Sequence, residues 1–543
     1  MRRSILATVA AAGLTVVLAL ALGVSVLATD LVPARAAGRP VAGTVGSADG
    51  TTPDHAAGEV LDAARSALGL GPGADAGPGA GLAAGELPRP RRTAAPRPDA
   101  TLALRDLFRA LPDLGADDRR AAQRLLARPT EGAGDPQGDG YLVPAKRTCR
   151  NHICMHWVTS TADAPPSRAW VDTNLDLMNK VWRTEVRRLG YRAPVSDRGR
   201  GGSDALDVYL KELGSRGLYG YCVPEERAPG EKWLASGYCV LDNDFAQAQY
   251  GAPPRQSLRV TAAHEFFHAV QFAYDYGEDP WLMEATATWM EERVADDVND
   301  NRQYLPYGQL GSPGRPLDRF DAQGFNQYGN WVFFEYLGHR FGNGVVRSIW
   351  TRAGAYPGSG HQYSTTAVKG VLRKYGGFAS VYRSFVAANV FPARTYEEGD
   401  AWSGAPATQT WRLSKAEPRH RADLRINHLA SRNVVVRPDP GLKDGRWRLR
   451  VVIDGPGDRT DPRAALVIRT EHGVVRRAVR LDPDGRARTA VGLDSRNVRS
   501  VTVALVNAST RFSCWHRTTW SCQGRARDDG ARFTVRTVLR RNG

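Results

Sequence analysis

The sequence predicts an α+β domain whose second half is mainly helical, followed by an all-β sandwich, and three observations carry that expectation. Between about residues 141 and 250, apolar positions change repeatedly between helical and strand spacing. Helical patterns then dominate from Gln256 to about Val390. Past Trp411 the period becomes two: Trp447, Leu449, Val451 and Ile453 alternate with polar neighbours, as do Val501, Val503 and Leu505. Gly, Asp, Pro and Asn turns separate these runs, the texture of a sandwich. At 543 residues the chain is long enough for two or three compact units.

Taken in order, Met1, Arg2 and Arg3 precede an uncharged apolar run over residues 5–28, and Ala34, Arg35 and Ala36 form an A-x-A cleavage signal. Residues 1–36 therefore read as the signal peptide of an exported chain. The run is also long enough to span a bilayer, which keeps an uncleaved N-terminal anchor as the alternative. Residues 37–99 are rich in Ala, Gly, Pro and Arg with almost no aromatic residue, and are expected to be a disordered linker. Leu104, Leu107, Phe108 and Leu111 then recur at helical spacing up to Pro112, and Ala121, Leu125 and Leu126 mark a second helix. Residues 100–140 read as a short pro-segment, with Arg91 and Arg92 as a processing point, or as an extension that stays docked. A domain over 141–411 follows, with strands near 156–159 and 205–210, a helix near 170–189, and extended segments at 220–223 and 237–241. Residues 420–543 form the sandwich.

The formal charge of +16 comes from 73 Lys and Arg against 57 Asp and Glu, with arginine spread through every region. Such a basic surface suits an anionic wall polymer or an acidic substrate, while no nucleic-acid motif is present. Once the signal is removed, no membrane segment remains. The six cysteines fall into neighbouring pairs, Cys149 with Cys154, Cys222 with Cys239, and Cys514 with Cys522. An even count in an exported chain reads as disulfides, the pairing chosen by proximity along the chain. A rival set of Cys149, His152, Cys154 and His156 offers zinc donors, at a spacing unlike the familiar knuckles.

The chemistry concentrates at His264, Glu265 and His268. Histidines at i and i+4 share one helix face about one turn apart, which suits a tetrahedral zinc. Glu265 projects beside such a metal and can take a proton from an activated water. A third ligand is needed. Residues 275–280 break the first helix, and Glu284 lies in the first turn of the next. Folded back antiparallel, that helix brings Glu284 to the histidines and leaves one position open for water.

Here the sequence resembles the gluzincin zinc metallopeptidases, the group of thermolysin and the aminopeptidases, in which H-E-x-x-H is followed by a second helix bearing a glutamate ligand. Residues 281–291 look like the W-L-x-E-G-x-A-x-[YW]-x-E segment of aminopeptidase-like members, matching at Trp281, Leu282, Glu284, Ala287, Trp289 and Glu291, with Ala285 in place of the glycine. The resemblance implies a zincin-like catalytic domain, one catalytic Zn2+ on His264, His268 and Glu284, and Glu291 as a carboxylate orienting a ligand histidine. It also implies an oxyanion donor at a helix start, for which Tyr328 is the candidate and Tyr307 and His339 the rivals; Trp331 stands where those relatives have a glycine. The interval from His268 to Glu284 is shorter than theirs, and no G-x-M-E-N exopeptidase segment is found. In zincin-like folds an extended peptide pairs with an edge strand, here expected at 237–241. Asp242, Asn243 and Asp244 could bind calcium but read more readily as a turn. The expectation is thus a secreted zinc-dependent hydrolase of peptides or proteins. Its alternative is a secreted binding protein for wall polymer or carbohydrate with a structural or relic zinc site.

Overall fold

The computed structural model describes residues 53–70, 100–132 and 139–542. The expected signal peptide, most of the linker, and Arg91 with Arg92 lie outside these residues. Within the stretch expected to be disordered, α1 (Pro53–Ala67) is helical. Leu61, Ala64 and Leu68 are buried there at helical spacing, against α2 (Ala100–Ala110) and α3 (Ala116–Leu126). The surrounding Ala, Gly and Pro dilute this apolar stripe in a composition average, and the helix gains its stability from the partners it packs on.

A mixed five-stranded sheet follows, built from β1 (Lys146–Arg150), β2 (Ile153–Trp157), β3 (Leu206–Lys211), β4 (Gly220–Arg227) and β5 (Ala235–Asp242) in the order β1-β2-β3-β5-β4. The pairs β2 with β3 and β3 with β5 are parallel, and the outer pairs are antiparallel. The edge strand beside the His264–His268 motif is therefore β4, not the 237–241 segment expected from sequence, because β5 is paired on both sides. Between β2 and β3 runs α4 (Arg168–Trp182), capped by Ser167, whose hydroxyl accepts from the Trp170 amide at 3.1 Å. Its end continues as a wider π-turn over Arg183–Arg188.

After β5 come α5 (Gln247–Tyr250), α6 (Pro254–Asp275) and α7 (Pro280–Ala295), the last two each opened by a proline in the first turn, where its missing N–H has no helical partner to lose. From Leu258 to Asp275 nearly every residue of α6 is buried, as is most of α7. A helix covered on all sides needs no amphipathic stripe, so apolar periodicity is a weak signal here. The helical half finishes with α8 (Asn326–Gly329), α9 (Trp331–Phe341), α10 (Gly344–Ala353), α11 (Thr365–Leu372) and α12 (Phe378–Asn389).

The C-terminal region is strand-rich: β6 (Gln409–Leu413), β7 (Arg419–Ile426), β8 (Ala430–Pro438), β9 (Trp447–Asp454), β10 (Pro462–Thr470), β11 (Gly473–Val479), β12 (Arg486–Gly492), β13 (Val498–Asn507), the short β14 (Phe512–Ser513) and β15 (Arg525–Ala526), and β16 (Ala531–Arg541). They form a five-stranded sheet in the order β11-β10-β13-β8-β6 and a four-stranded antiparallel sheet in the order β12-β9-β16-β7. One cluster of buried side chains draws on both sheets, including Leu466, Val503, Leu449 and Val535. The alternate residues Ala465, Val467, Ala504 and Val506 face the other way and join the core of the helical half.

Three disulfides form between the neighbours expected from sequence: Cys149–Cys154, Cys222–Cys239 and Cys514–Cys522. The rival zinc set is thereby corrected: Cys149 and Cys154 are bonded to each other, His152 stacks on Trp182, and His156 bonds Asp207 at 2.6 Å. Among the described residues no helix is long and apolar enough to cross a membrane. The disulfides are consistent with an extracellular or periplasmic location.

Candidate metal centre

The tight turn between α6 and α7 lays the two helices side by side, so that His264, His268 and Glu284 converge in the core. Glu284 Oε2 lies 3.3 Å from His264 Nε2, and Glu284 Oε1 lies 3.6 Å from His268 Nε2. Each residue offers one ligand atom, and the three atoms lie within 4.8 Å of one another. Ligands about 2.0–2.1 Å from a tetrahedral zinc are about 3.3 Å apart, so the two separations between Glu284 and the histidines are close to those such an ion needs. Both Glu284 oxygens are buried and accept no hydrogen bond of good geometry from a described residue. A buried carboxylate facing two imidazoles without such bonds suits a cation between them.

The outer nitrogens of both imidazoles are held. Glu291 Oε1 lies 2.8 Å from His264 Nδ1, two turns along α7 from Glu284. Gln271 Oε1 lies 2.8 Å from His268 Nδ1, and the Gln271 amide donates to Met283 O at 2.9 Å and Thr286 Oγ1 at 3.2 Å. Each ring is thus fixed with Nε2 turned toward Glu284, the outer support that metal-binding histidines use. Burial pushes the Glu291 carboxyl up to about 7, with the bond to His264 opposing it. At His264 burial disfavours the charged form, but Glu284 and Glu291 outweigh it and hold the ring well above its usual pKa. The surroundings of His264 favour positive charge.

Glu265 is buried at the floor of a cleft whose lining includes Tyr219, Gly220, His264, Tyr304, Phe325 and Tyr328. The start of β4 approaches Glu265 closely: a Cβ on Gly220 would meet Glu265 Cγ at 2.9 Å, so only glycine fits there. From the N-terminal helices, Thr101 donates to Glu265 Oε2 at 3.3 Å and accepts from the Cys222 amide of β4 at 2.9 Å.

Tyr328, in α8, stacks over His264 with ring centroids 6.0 Å apart. Its rivals lie elsewhere. His339 is exposed near the end of α9, and Tyr307 is 42% exposed and packs on Phe325. Tyr304 was not legible from sequence; it reaches the cleft beside Tyr328, at 5.3 Å between ring centroids. The backbone of Gly308 presses against that of Gly329, which brings the two tyrosine segments together. Gln271 was also missed, although its position three residues after His268 on the same helix face is a usable signal. Thr101 and Tyr304 come from distant segments and carry no local signal. At the calcium candidate, Asp242 accepts backbone N–H bonds from Leu213, Gly214 and Phe245 at 2.9, 2.9 and 2.6 Å, which makes it the anchor of a turn.

No protein-family model matches the chain, and no curated protein matches it. Among solved structures, a periplasmic inhibitor of g-type lysozyme from Aeromonas hydrophila is similar over 24% of this chain and 96% of its own, at 11% identity and a TM-score of 0.15. A likeness at that score carries no argument about fold or activity.

Proposed function

We propose that the chain is a secreted zinc-dependent peptide-bond hydrolase with a zincin-like catalytic domain over 141–411 and a C-terminal β-sandwich. The observation that carries the reading is the convergence of His264, His268 and Glu284, with Glu284 oxygens 3.3 and 3.6 Å from the two imidazole nitrogens and both histidines held from behind by Glu291 and Gln271. When bound there, zinc supplies a Lewis acid that makes water nucleophilic at neutral pH. Glu265, adjacent in sequence and facing the cleft, takes the proton of the attacking water and returns it to the leaving amine. Tyr328 donates to the oxyanion that develops on the substrate carbonyl. The start of β4 offers main-chain groups to an extended peptide, and the aromatic side chains of Tyr219, Tyr304 and Phe325 favour an apolar residue near the scissile bond.

The test is elemental analysis of the purified protein beside His268→Ala, together with casein release by wild type and Glu265→Gln. One zinc per chain, lost in His268→Ala, and proteolysis abolished in a Glu265→Gln protein that keeps its metal support the proposal. Folded protein that takes up no zinc would refute it, and unchanged casein release by Glu265→Gln would remove the assigned base.

A further inference from the structure

The arginines that look scattered along the C-terminal sequence meet on one surface. In the four-stranded sheet, residues alternate between the shared core and solvent, and the register aligns the outward positions of all four strands. On the solvent side β7 presents Arg419, Arg421 and Arg425, and β16 presents Arg532, Arg536 and Arg540. Beside them β9 adds Arg448 and Arg450, and β12 adds Arg486 and Arg488. The acidic residues on these same outward positions are Asp454 and Asp423, engaged with Arg486 and Arg421 at 3.4 and 3.0 Å. Among the described residues, the other eight of these arginines form no ion pair with a carboxylate.

Folding alone gives no reason for this arrangement. Arg532 stands directly opposite Arg425, Arg536 opposite Arg421, and Arg540 opposite Arg448. Like charges placed opposite one another across strands are destabilising. We infer that this face is a binding surface for a linear polymer carrying a phosphate on every repeat.

The chemistry of the face selects that occupant. All of its cations are guanidiniums, whose rigid fork matches oxyanions. Opposed arginines have Cβ atoms about 4.5–5.5 Å apart, so two forks can share one tetrahedral phosphate. Outward residues recur about every 6.6–6.8 Å along a strand, so Arg419 and Arg421, Arg448 and Arg450, and Arg486 and Arg488 are spaced to meet neighbouring phosphates, while Arg532, Arg536 and Arg540 recur at twice that interval. A bilayer is a poorer match: the remaining outward residues include Thr534, Val452, Val538 and Ala490, with no large apolar side chain to enter a headgroup layer. Nucleic-acid bases find no aromatic platform there. The opposite sheet has its outer face packed on the helical half, so the arginine face is the one left to solvent. This inference is independent of the zinc site.

The experiment measures binding of the purified full chain to long-chain inorganic polyphosphate over a series of salt concentrations, beside the triple variant Arg450→Gln, Arg488→Gln, Arg536→Gln. Parallel arms use orthophosphate, polyglutamate, duplex DNA, and vesicles of phosphatidylcholine and phosphatidylglycerol in equal amounts. Wild type is expected to bind polyphosphate with a steep salt dependence and to unfold at a higher temperature in its presence, with orthophosphate at equal phosphate concentration failing to compete. The triple variant, whose altered side chains point to solvent, is expected to fold and to lower the log–log salt slope by about 2, from about 0.7 per neutralised phosphate. Equal polyphosphate binding by wild type and variant would overturn the surface. Equal affinity for polyglutamate would overturn the phosphate selectivity, and tighter binding to vesicles or duplex DNA would replace the polymer with a membrane or a nucleic acid. Should the variant fail to fold, the wild-type salt slope and the shift in unfolding temperature decide, and absence of both would overturn the inference.

Discussion

Replacing Gln271 by leucine removes the side chain that ties His268 to the α7 backbone while keeping much of its volume. Its amide oxygen faces His268 Nδ1 at 2.8 Å, and its amide nitrogen donates at 2.9 Å to the carbonyl of Met283, the residue before Glu284. Gln271, His268 and Glu284 are fully buried, so water does not replace the lost bonds. Loss of such an outer partner lowers zinc affinity about 10–100-fold, or about 1.4–2.7 kcal/mol. Stability without metal should fall by about 1–3 kcal/mol, the cost of stranding a buried polar group. Gln271→Glu separates the two effects, because its carboxylate keeps an acceptor for His268 but loses the donors to Met283 and Thr286. It should retain most of the zinc affinity while losing stability. The assay is competition for zinc against a chromogenic chelator, paired with urea unfolding of both metal-free variants. Wild-type zinc affinity in Gln271→Leu, or equal losses in both variants, would show that Gln271 serves the fold and not the metal.

Tyr328→Phe is expected to lower kcat on a peptide substrate about 100-fold or more, the scale of a lost oxyanion donor, with zinc content unchanged; full turnover would reassign the ring to packing beside His264. Arg128 lies buried among Glu225, Asp207 and Asp197, at 2.5, 2.6 and 2.6 Å. Arg128→Met should destabilise the protein by about 3–5 kcal/mol in denaturant unfolding at neutral pH, since it leaves buried carboxylates without their cation; a much smaller loss would mean that another group neutralises them. His428 bonds Asp318 at 3.1 Å and Asp529 at 3.0 Å, and burial, which opposes its charge, is outweighed by these carboxylates, so that its pKa rises to about 9. A raised pKa stabilises the fold fully below the usual value of about 6.5 and loses that contribution as pH rises through about 9. The loss amounts to about 3 kcal/mol. Unfolding free energy should therefore fall between neutral pH and about pH 10 more steeply in wild type than in His428→Asn, and parallel pH profiles would refute the assignment.

The residues proposed to hold a metal are legible because they are local. His264, Glu265 and His268 share one helix, and Glu284 and Glu291 lie on the next, so helical spacing alone predicts which of them face each other. The alternating runs of the C-terminal strands are legible for the same reason, since a period of two survives in a single sequence. Pairing order is not local. Residues 237–241 look like an edge strand on proximity to the motif, yet β5 sits between β3 and β4, an arrangement set by the parallel β3–β5 contact. The arginine face shows the same limit: its members look dispersed because adjacent strands in the sheet lie far apart in sequence. Thr101 and Tyr304 reach the cleft from segments with no motif of their own, and only packing reveals them.

The position of α2 bears on which peptides such a site would cut. On β4 the residues lining the cleft are Gly220 and the two before it, Leu218 and Tyr219, whereas the Cys222 amide is already taken by Thr101. Leu102, Leu104 and Leu107 are buried, and Arg105 donates to the Glu278 carbonyl at 2.7 Å, so α2 is held by a packed interface and by polar bonds. An extended peptide adding to the free edge of β4 can therefore pair at the start of the strand but meets α2 at Cys222, close to Glu265. With α2 in place, the substrate has main-chain support on one side of the scissile bond and little length on the other. The expected products from a ladder of peptides of increasing length are cuts at a constant short distance from one terminus, read by mass spectrometry. Cuts spread through the interior of the longer peptides would mean that α2 leaves the edge during turnover.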